Sequence, residues 1–247
     1  MFGLVSIIMP SYNTSDFIGD SINSVLNQTY KNWELIIIDD NSSDNTADTV
    51  QSFNDSRIRY LVNSENKGAA FSRNRALREA KGNWIAFLDS DDIWYPNKLE
   101  NQLNFMVNTN CSFSYTNYKV MGEATLVTGP KIITKKNMYR YCWPGCLTVM
   151  YNAKRVGLLQ ISEIEKNNDY AMWLSVSEKE NCYLLDETLA EYRKHRKNSI
   201  SNVNKVQLIK WHYLLFRKCL QKSLIESVLY TVNNLIFGMY KKIVYIK

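Results

Sequence analysis

The chain has 247 residues, 45% hydrophobic and 22% charged, with a formal charge of +6, room for one large α/β domain or a domain plus an appendage of ordinary globular composition. The charge is uneven: from Asn204 onward eight Lys and Arg face one acid, Glu226, giving +7, so residues 1–203 sum to −1. A nearly neutral body argues against nucleic acid as a partner, and the basic tail points to an anionic surface.

In chain order, Leu4–Met9 is an apolar, β-branched run expected to form a buried first strand that ends at Pro10, with Ser11-Tyr12-Asn13 as a turn. Phe17, Ile18, Ile22, Val25 and Leu26 follow at helical spacing, with Ser15 or Asp16 as the cap. Trp33–Ile38 is a second buried strand, running into Asp39-Asp40 and the turn chemistry of Asn41-Ser42-Ser43-Asp44. A short helix over Thr46–Phe53, a third strand over Ile58–Val62 and a helix over Ala69–Ala80 carrying Arg73, Arg75 and Arg78 lead to the fourth strand. Four strands alternating with helices predict a doubly wound, mainly parallel sheet.

That fourth strand is Trp84-Ile85-Ala86-Phe87-Leu88, followed at once by Asp89-Ser90-Asp91-Asp92. Three carboxylates in four positions repel one another, and a hard divalent cation relieves that repulsion by taking one or two carboxylates together with water and phosphate oxygens. The stretch reads either as a metal–diphosphate site or as a solvated turn in which Asp91 or Asp92 caps the next helix.

Beyond it, Asn97–Val107 reads as a helix, Ser112–Val120 as a strand exposed on one face and Thr134–Tyr141 as a short helix. Trp143-Pro144-Gly145 is a turn before the strand-like Leu147–Tyr151; Asp169–Lys179 is a helix, and Leu189–Tyr192 a short strand. Body and tail meet near Ser201–Asn204, dividing the chain into 1–203 and a helical extension, 204–247. In the extension Leu208, Trp211, Leu215, Cys219 and then Ile225, Val228, Leu229, Val232 recur at helical spacing, mixed with Lys, Arg and aromatics, and no run of about 18 apolar residues spans a membrane. A basic amphipathic helix pair suits the plane of a membrane interface; the alternative is a hairpin packed on the body with a solvated basic rim. The five cysteines show no metal-ligand spacing and no secretory signal opens the chain, so the thiols read as reduced and the protein as cytoplasmic.

Three strand ends now line up: Ile8-Met9-Pro10-Ser11-Tyr12-Asn13, Ile36-Ile37-Ile38-Asp39-Asp40-Asn41-Ser42-Ser43-Asp44 and Phe87-Leu88-Asp89-Ser90-Asp91-Asp92, with Asn66-Lys67-Gly68 and Ser72-Arg73-Asn74 between them. Together they resemble the inverting nucleotide-sugar glycosyltransferases of family 2, whose fold is the Rossmann-like GT-A fold. The likeness is dense over the first ninety or so residues and sparse from there to His195.

The resemblance implies the site. Asp39 corresponds to the aspartate that accepts the uracil N3–H and Tyr12 to the aromatic lying against the base, and Pro10 belongs with them to the implied nucleotide-binding residues. Arg73 corresponds to an arginine near the nucleotide, and Asp89 with Ser90 to the ribose end of the motif. Asp91 would take Mn²⁺ or Mg²⁺, with His195 completing the metal site. The family's base is the aspartate of a Glu-Asp pair opening a helix; here that aspartate is Asp169, and Asn168 stands where the Glu is expected. Trp143-Pro144-Gly145-Cys146 occupies the place of a glycine-containing acceptor loop. A Gln-x-x-Arg-Trp motif, the mark of processive synthases, is absent, so one sugar per encounter is expected. The Pro10–Thr14 turn lacks the glycines of a nicotinamide-binding enzyme.

The implied activity is transfer of a single hexose (glucose or galactose, N-acetylated or not) from a UDP-sugar to a lipid-linked saccharide on undecaprenyl diphosphate, in bacterial O-antigen or capsule synthesis. The enzyme would sit peripherally on the inner face of the cytoplasmic membrane. The alternative, kept open by Asn168, is a non-catalytic nucleotide-sugar-binding protein on a degenerate transferase fold.

Overall fold

The computed structural model describes residues 2–162, 164–194 and 205–247, with Lys205 as backbone only. The N-terminal half alternates strand and helix: β1 Val5–Ser11, α1 Ile18–Leu26, β2 Trp33–Asp39, α2 Thr46–Gln51, β3 Ile58–Val62, α3 Ala69–Glu79 and β4 Trp84–Phe87. The remainder holds β5 Ile93–Trp94, α4 Lys98–Asn108, β6 Phe113–Val120, β7 Leu126–Val127, β8 Ile132–Ile133 and α5 Lys135–Arg140. Then come a 3₁₀ turn at Cys146–Thr148, β9 Met150–Asn152, α6 Ala153–Val156, α7 Asn168–Ser177 and β10 Cys182–Tyr192. The tail is α8 Lys205–Leu214, a π-helical turn Leu215–Cys219 and α9 Leu224–Val244.

One sheet runs β3-β2-β1-β4-β9-β6-β10-β5, with β7 beside β6 and β8 beside β10. The four N-terminal strands are parallel, β6 and β10 are parallel, and β9 and the short strands pair antiparallel. This is the expected mainly parallel sheet flanked by helices. Every residue of β1 and β2 is buried, as strands covered by helices on both faces require. Their side chains alternate between two cores: Ile8, Ile36, Ile38 and Phe87 face the α3–α7 side, while Val5, Ile7, Met9, Leu35 and Ile37 face the α1–α4 side.

Several local expectations are corrected. β1 runs through Pro10 to Ser11. The Leu88 N–H bonds the Ile8 carbonyl, so two residues later Pro10 directs its nitrogen to the same side, where β4 has already ended and no ladder donor is missed. Neither Ser15 nor Asp16 caps α1; the Thr14 carbonyl accepts from the Phe17 and Ile18 amides, and the Ser15 amide donates to Asp44. Leu147–Tyr151 is not one strand, because the Thr148 amide and hydroxyl both bond the Gly145 carbonyl and curl its first half into the 3₁₀ turn. β10 is far longer than Leu189–Tyr192: two register shifts between Leu185 and Ala190, where Asp186 and Glu187 stand exposed, break the pattern that would have revealed it.

The tail packs on the body. Leu215 and Phe216 are fully buried in the core that contains Met138, Tyr170 and Trp173. Phe216 stacks on Tyr230 at 5.0 Å, and Lys241 Nζ donates to the Trp143 carbonyl at 2.7 Å. The chain end pairs with β7 through Leu126 and Lys247. The junction near Ser201–Asn204 lies outside the described residues.

Candidate active site

β1, β2 and β4 end on one edge of the sheet, and strand order reverses between β1 and β4; in open α/β sheets that point forms the ligand crevice. The loops leaving β1 and β2 are stitched together. The Asn13 amide donates to Ser42 Oγ, the Ser43 amide to Asn13 Oδ1, and the Thr14 amide to Thr46 Oγ1. Asn13 and Asn41 sit at φ 50° and 64°, left-handed positions that Asn tolerates better than most residues. Tyr12 is held on this loop pair with 44% of its surface exposed. Asp39 is buried, its carboxylate accepting from the Ser42 amide at 2.7 Å and the Tyr60 hydroxyl at 2.5 Å. Burial and the Asp39 carboxylate push the Tyr60 phenol up, so it remains a donor.

Asp40 has a separate task. Its carboxylate accepts from Asn63 Nδ2 and the amides of Lys67 and Gly68, at 2.7, 3.0 and 2.6 Å. Gly68 has φ 86°, a conformation other residues adopt only with strain, and α3 starts directly after it. Asp40 therefore fixes where α3 begins, and with it Arg73. The acidic doublet was visible in the sequence; the loop it reaches, nearly thirty residues on, was not.

Arg73 enters from α3 and bridges two segments. One guanidinium nitrogen bonds Asp89, and the other donates to Asn168 Oδ1 at 2.6 Å. Its Nε has no partner among the described residues. Burial works against the charged form, but the Asp89 carboxylate outweighs it and raises the guanidinium pKa. Asn168 thus occupies the expected glutamate's position as a neutral acceptor, and Arg73 keeps more positive charge than an Arg–Glu pair would leave.

Asp89–Asp92 form a tight turn closed by the Asp92 amide and the Asp89 carbonyl at 3.1 Å. Asp92 is buried, and its carboxylate accepts from the Arg193 amide at 2.9 Å. Burial, then the charges of Asp91 and Asp89, push its pKa well up. Asp92 therefore does not cap a helix; Asn97 precedes α4, and Asp92 ties the turn to the end of β10. Ser90 is buried and Asp91 half-buried.

Asp169 lies in the first turn of α7, after Asn167 in a left-handed conformation at φ 57°. It is not the N-cap; it accepts from the adjacent Tyr170 amide at 2.8 Å. Burial raises its pKa, with Arg73 and that amide pulling in the opposite direction. A carboxylate of raised basicity is what proton abstraction near neutral pH requires.

A cleft of about 440 Å³ brings Arg73, Asp89, Asp92, Asn168 and Asp169 together with Gly145-Cys146 of the expected acceptor loop. Pro10, Tyr12, Asp39, Ser90 and Asp91 do not line it; they belong to the strand-end row beside it. His195 lies outside the described residues. Among the described residues no three Asp, Glu, His or Cys side chains converge as a metal cage. The crowded Asp89–Asp91–Asp92 turn nonetheless fits Mg²⁺ or Mn²⁺, which use one or two carboxylates and leave other positions for phosphate.

Residues 6–154 match the model of glycosyl transferase family 2. The chain belongs to this glycosyltransferase family. Among its relatives is an Escherichia coli protein, WfgD, described as a UDP-Glc:α-D-GlcNAc-diphosphoundecaprenol β-1,3-glucosyltransferase; it is 41% identical, with 96% of this chain and 94% of that protein covered. Residues 1–349 of S. aureus TarS, solved with UDP-GlcNAc, superpose with a TM-score of 0.72 at 19% identity, covering 94% of this chain and 71% of that one. A Pyrobaculum calidifontis mannosyltransferase, solved with GDP-Man and Mn²⁺, superposes with a TM-score of 0.66 at 13% identity, covering 94% and 69%. These two likenesses bear on the fold. The family match ends before Asn168-Asp169 and before the tail, whereas the likeness to WfgD spans nearly the whole chain.

Proposed function

We propose that this glycosyltransferase moves one hexose, glucose first among the candidates, from a UDP-sugar to a hydroxyl of an N-acetylhexosamine linked through diphosphate to a polyprenyl lipid. The product is a surface-polysaccharide precursor. The observation that carries the reading is the gathering of Arg73, Asp89 and Asp169 around one cleft, in a chain 41% identical to WfgD over nearly its whole length.

Asp39 accepts from the uracil imide at the end of β2, Tyr12 offers a flat face to the base, and Pro10, in the end of β1 that leads to Tyr12, joins them on the nucleotide side. Asp89 and Ser90 receive the ribose, with Arg73 fixing the Asp89 carboxylate. Asp169 takes the proton from the acceptor hydroxyl as its oxygen bonds the sugar's anomeric carbon; the bond from that carbon to the diphosphate breaks on the opposite face, UDP leaves, and configuration inverts. A Mg²⁺ or Mn²⁺ ion at Asp91, with His195 as a further ligand, would supply charge neutralisation for the departing diphosphate.

A membrane-borne acceptor agrees with α9. Its inward side carries Ser227, Thr231, Asn234 and Lys241, all buried, while Leu224, Ile225, Leu229, Ile236, Met239 and Ile243 face outward and exposed. Arg217, Lys218, Lys242 and Lys247 of the same tail are exposed as well. Among the described residues no helix is long and apolar enough to cross a membrane, so contact would be in-plane, from the cytoplasmic side.

The test is UDP release from a panel of UDP-sugars, given an N-acetylglucosamine diphosphate on an alkyl chain, with Mn²⁺ and with EDTA. Metal-dependent release from one UDP-hexose supports the reading. Thermal stabilisation by UDP without release from any sugar would favour the non-catalytic alternative, and no response to uridine nucleotides would sink both.

A further inference from the structure

The apolar stripe of α8 divides in two. Its C-terminal members do structural work: Leu215 and Phe216 are fully buried, and His212 packs edge-on against Tyr170 at 6.4 Å. Burial lowers the His212 pKa to about 4, so the imidazole is neutral at physiological pH, and its Nδ1 stands 3.5 Å from Asn167 Nδ2. Those contacts seat the helix against the N-terminal end of α7, next to Asp169. The N-terminal members of the same stripe, Leu208 and Trp211, belong to neither core among the described residues. They line the cleft that contains Asp169, Leu208 with 40% of its surface exposed and Trp211 half-buried.

Large apolar side chains gathered in a cleft beside acids and amides are characteristic of ligand sites. Here they meet Asn167, Asn168 and Asp169 in one cleft. A pyranose has this dual chemistry, since hydroxyls ring its edge and C–H groups make an apolar face that packs on an indole. The cleft volume, about 440 Å³, accommodates one or two such rings.

We infer that Trp211 and Leu208 of α8 form the wall that holds the acceptor saccharide, Trp211 packing against its apolar face while Asn167 and Asn168 meet its hydroxyls. The inference rests on the reading of Asp169 as the base. The acceptor is assigned to this wall, and the donor sugar is not, because α8 is anchored at the α7 end, where the reacting hydroxyl must lie. Arg73 and Asp89 mark the nucleotide side of the same cleft. The basic tail is then part of the active site as well as a surface for lipid.

Steady-state kinetics of the full chain with UDP-glucose and the alkyl-chain N-acetylglucosamine diphosphate, for the wild type, Trp211→Ala and Trp211→Phe, test this. Trp211→Ala should raise the acceptor KM about tenfold or more, the equivalent of roughly 1.4 kcal/mol. The UDP-glucose KM and the thermal stabilisation by UDP should stay as in the wild type, which also shows that the variant is folded. Trp211→Phe, keeping an apolar ring, should recover most of the acceptor affinity. An unchanged acceptor KM in the alanine variant would overturn the assignment, as would a loss in the UDP-glucose KM instead. A wild type that transfers nothing to this acceptor while releasing UDP to water would refute the acceptor reading beneath it, a result distinct from either of those.

Discussion

Arg73 concentrates the chemistry of the site. It holds Asp89 on one side and Asn168 on the other, and its charge pulls against the burial that makes Asp169 more basic. Replacing Asp169 by Asn removes the proposed proton acceptor and keeps the shape, so transfer should fall about 10²–10⁴-fold with UDP affinity unchanged. Turnover that survived the change would unseat Asp169. Asn168→Glu puts a second carboxylate against Arg73 and beside Asp169. Both effects raise the Asp169 pKa, and since the base works only when deprotonated, the acidic limb of the kcat/KM profile should move to higher pH. A limb that stays in place would mean that Asp169 does not set it.

At the level of elements, α9 turns polar side chains as well as rings inward and aliphatic ones outward. Ser227, Thr231, Asn234 and Lys241 face the protein beside Tyr230 and Phe237, which pack against its core, while Leu224, Ile225, Leu229, Ile236, Met239 and Ile243 face out. Three hydrogen bonds explain how the inward side is tolerated: Asn234 reaches the Tyr139 carbonyl, Thr231 the Ser227 carbonyl and Lys241 the Trp143 carbonyl. The outward side lacks any such partner within the described residues. A triple variant, Ile225→Asp, Leu229→Asp and Ile236→Asp, should lose flotation with liposomes rich in anionic lipid, while retaining its melting temperature and its affinity for UDP. Equal flotation of variant and wild type would remove the membrane argument. Because Lys241 holds the carbonyl of Trp143, next to Gly145 and Cys146 of the cleft, the surface helix and that wall of the cleft share one support.

For the whole molecule, the sheet places the strand-end row and the cleft side by side, and the tail closes the core on the α3–α7 side. Ending the chain at residue 203 would strip Leu215 and Phe216 from that core. Burial of two such side chains contributes about 3–6 kcal/mol, a large part of a typical domain's stability. Such a truncated chain should melt at markedly lower temperature or fail to fold, measurable by circular dichroism; a melt like that of the full chain would make the tail an independent appendage. This is also why point variants on α9 test lipid contact more cleanly than truncation does.

The N-terminal half was legible because its signals are local. Val- and Ile-rich runs bounded by Asp, Asn and Gly specify strands buried on both faces, and the alternation with helices leaves little topological choice. The clustering of Asp39 and Asp89 at strand ends follows from that topology alone. The sequence could not reveal β5, the length of β10 or the split of Leu147–Tyr151, since each depends on a bulge, a two-residue pairing or a backbone turn with no periodic pattern. Nor could it pair Arg73 with Asn168, ninety-five residues apart, or Asp40 with Gly68. It displayed Leu208, Trp211 and Leu215 as one helical stripe, and only packing divides that stripe between a core and a cleft. Pattern along the chain determines which faces must be buried; which neighbour buries them, and where a face is left open for a ligand, is decided when distant segments meet.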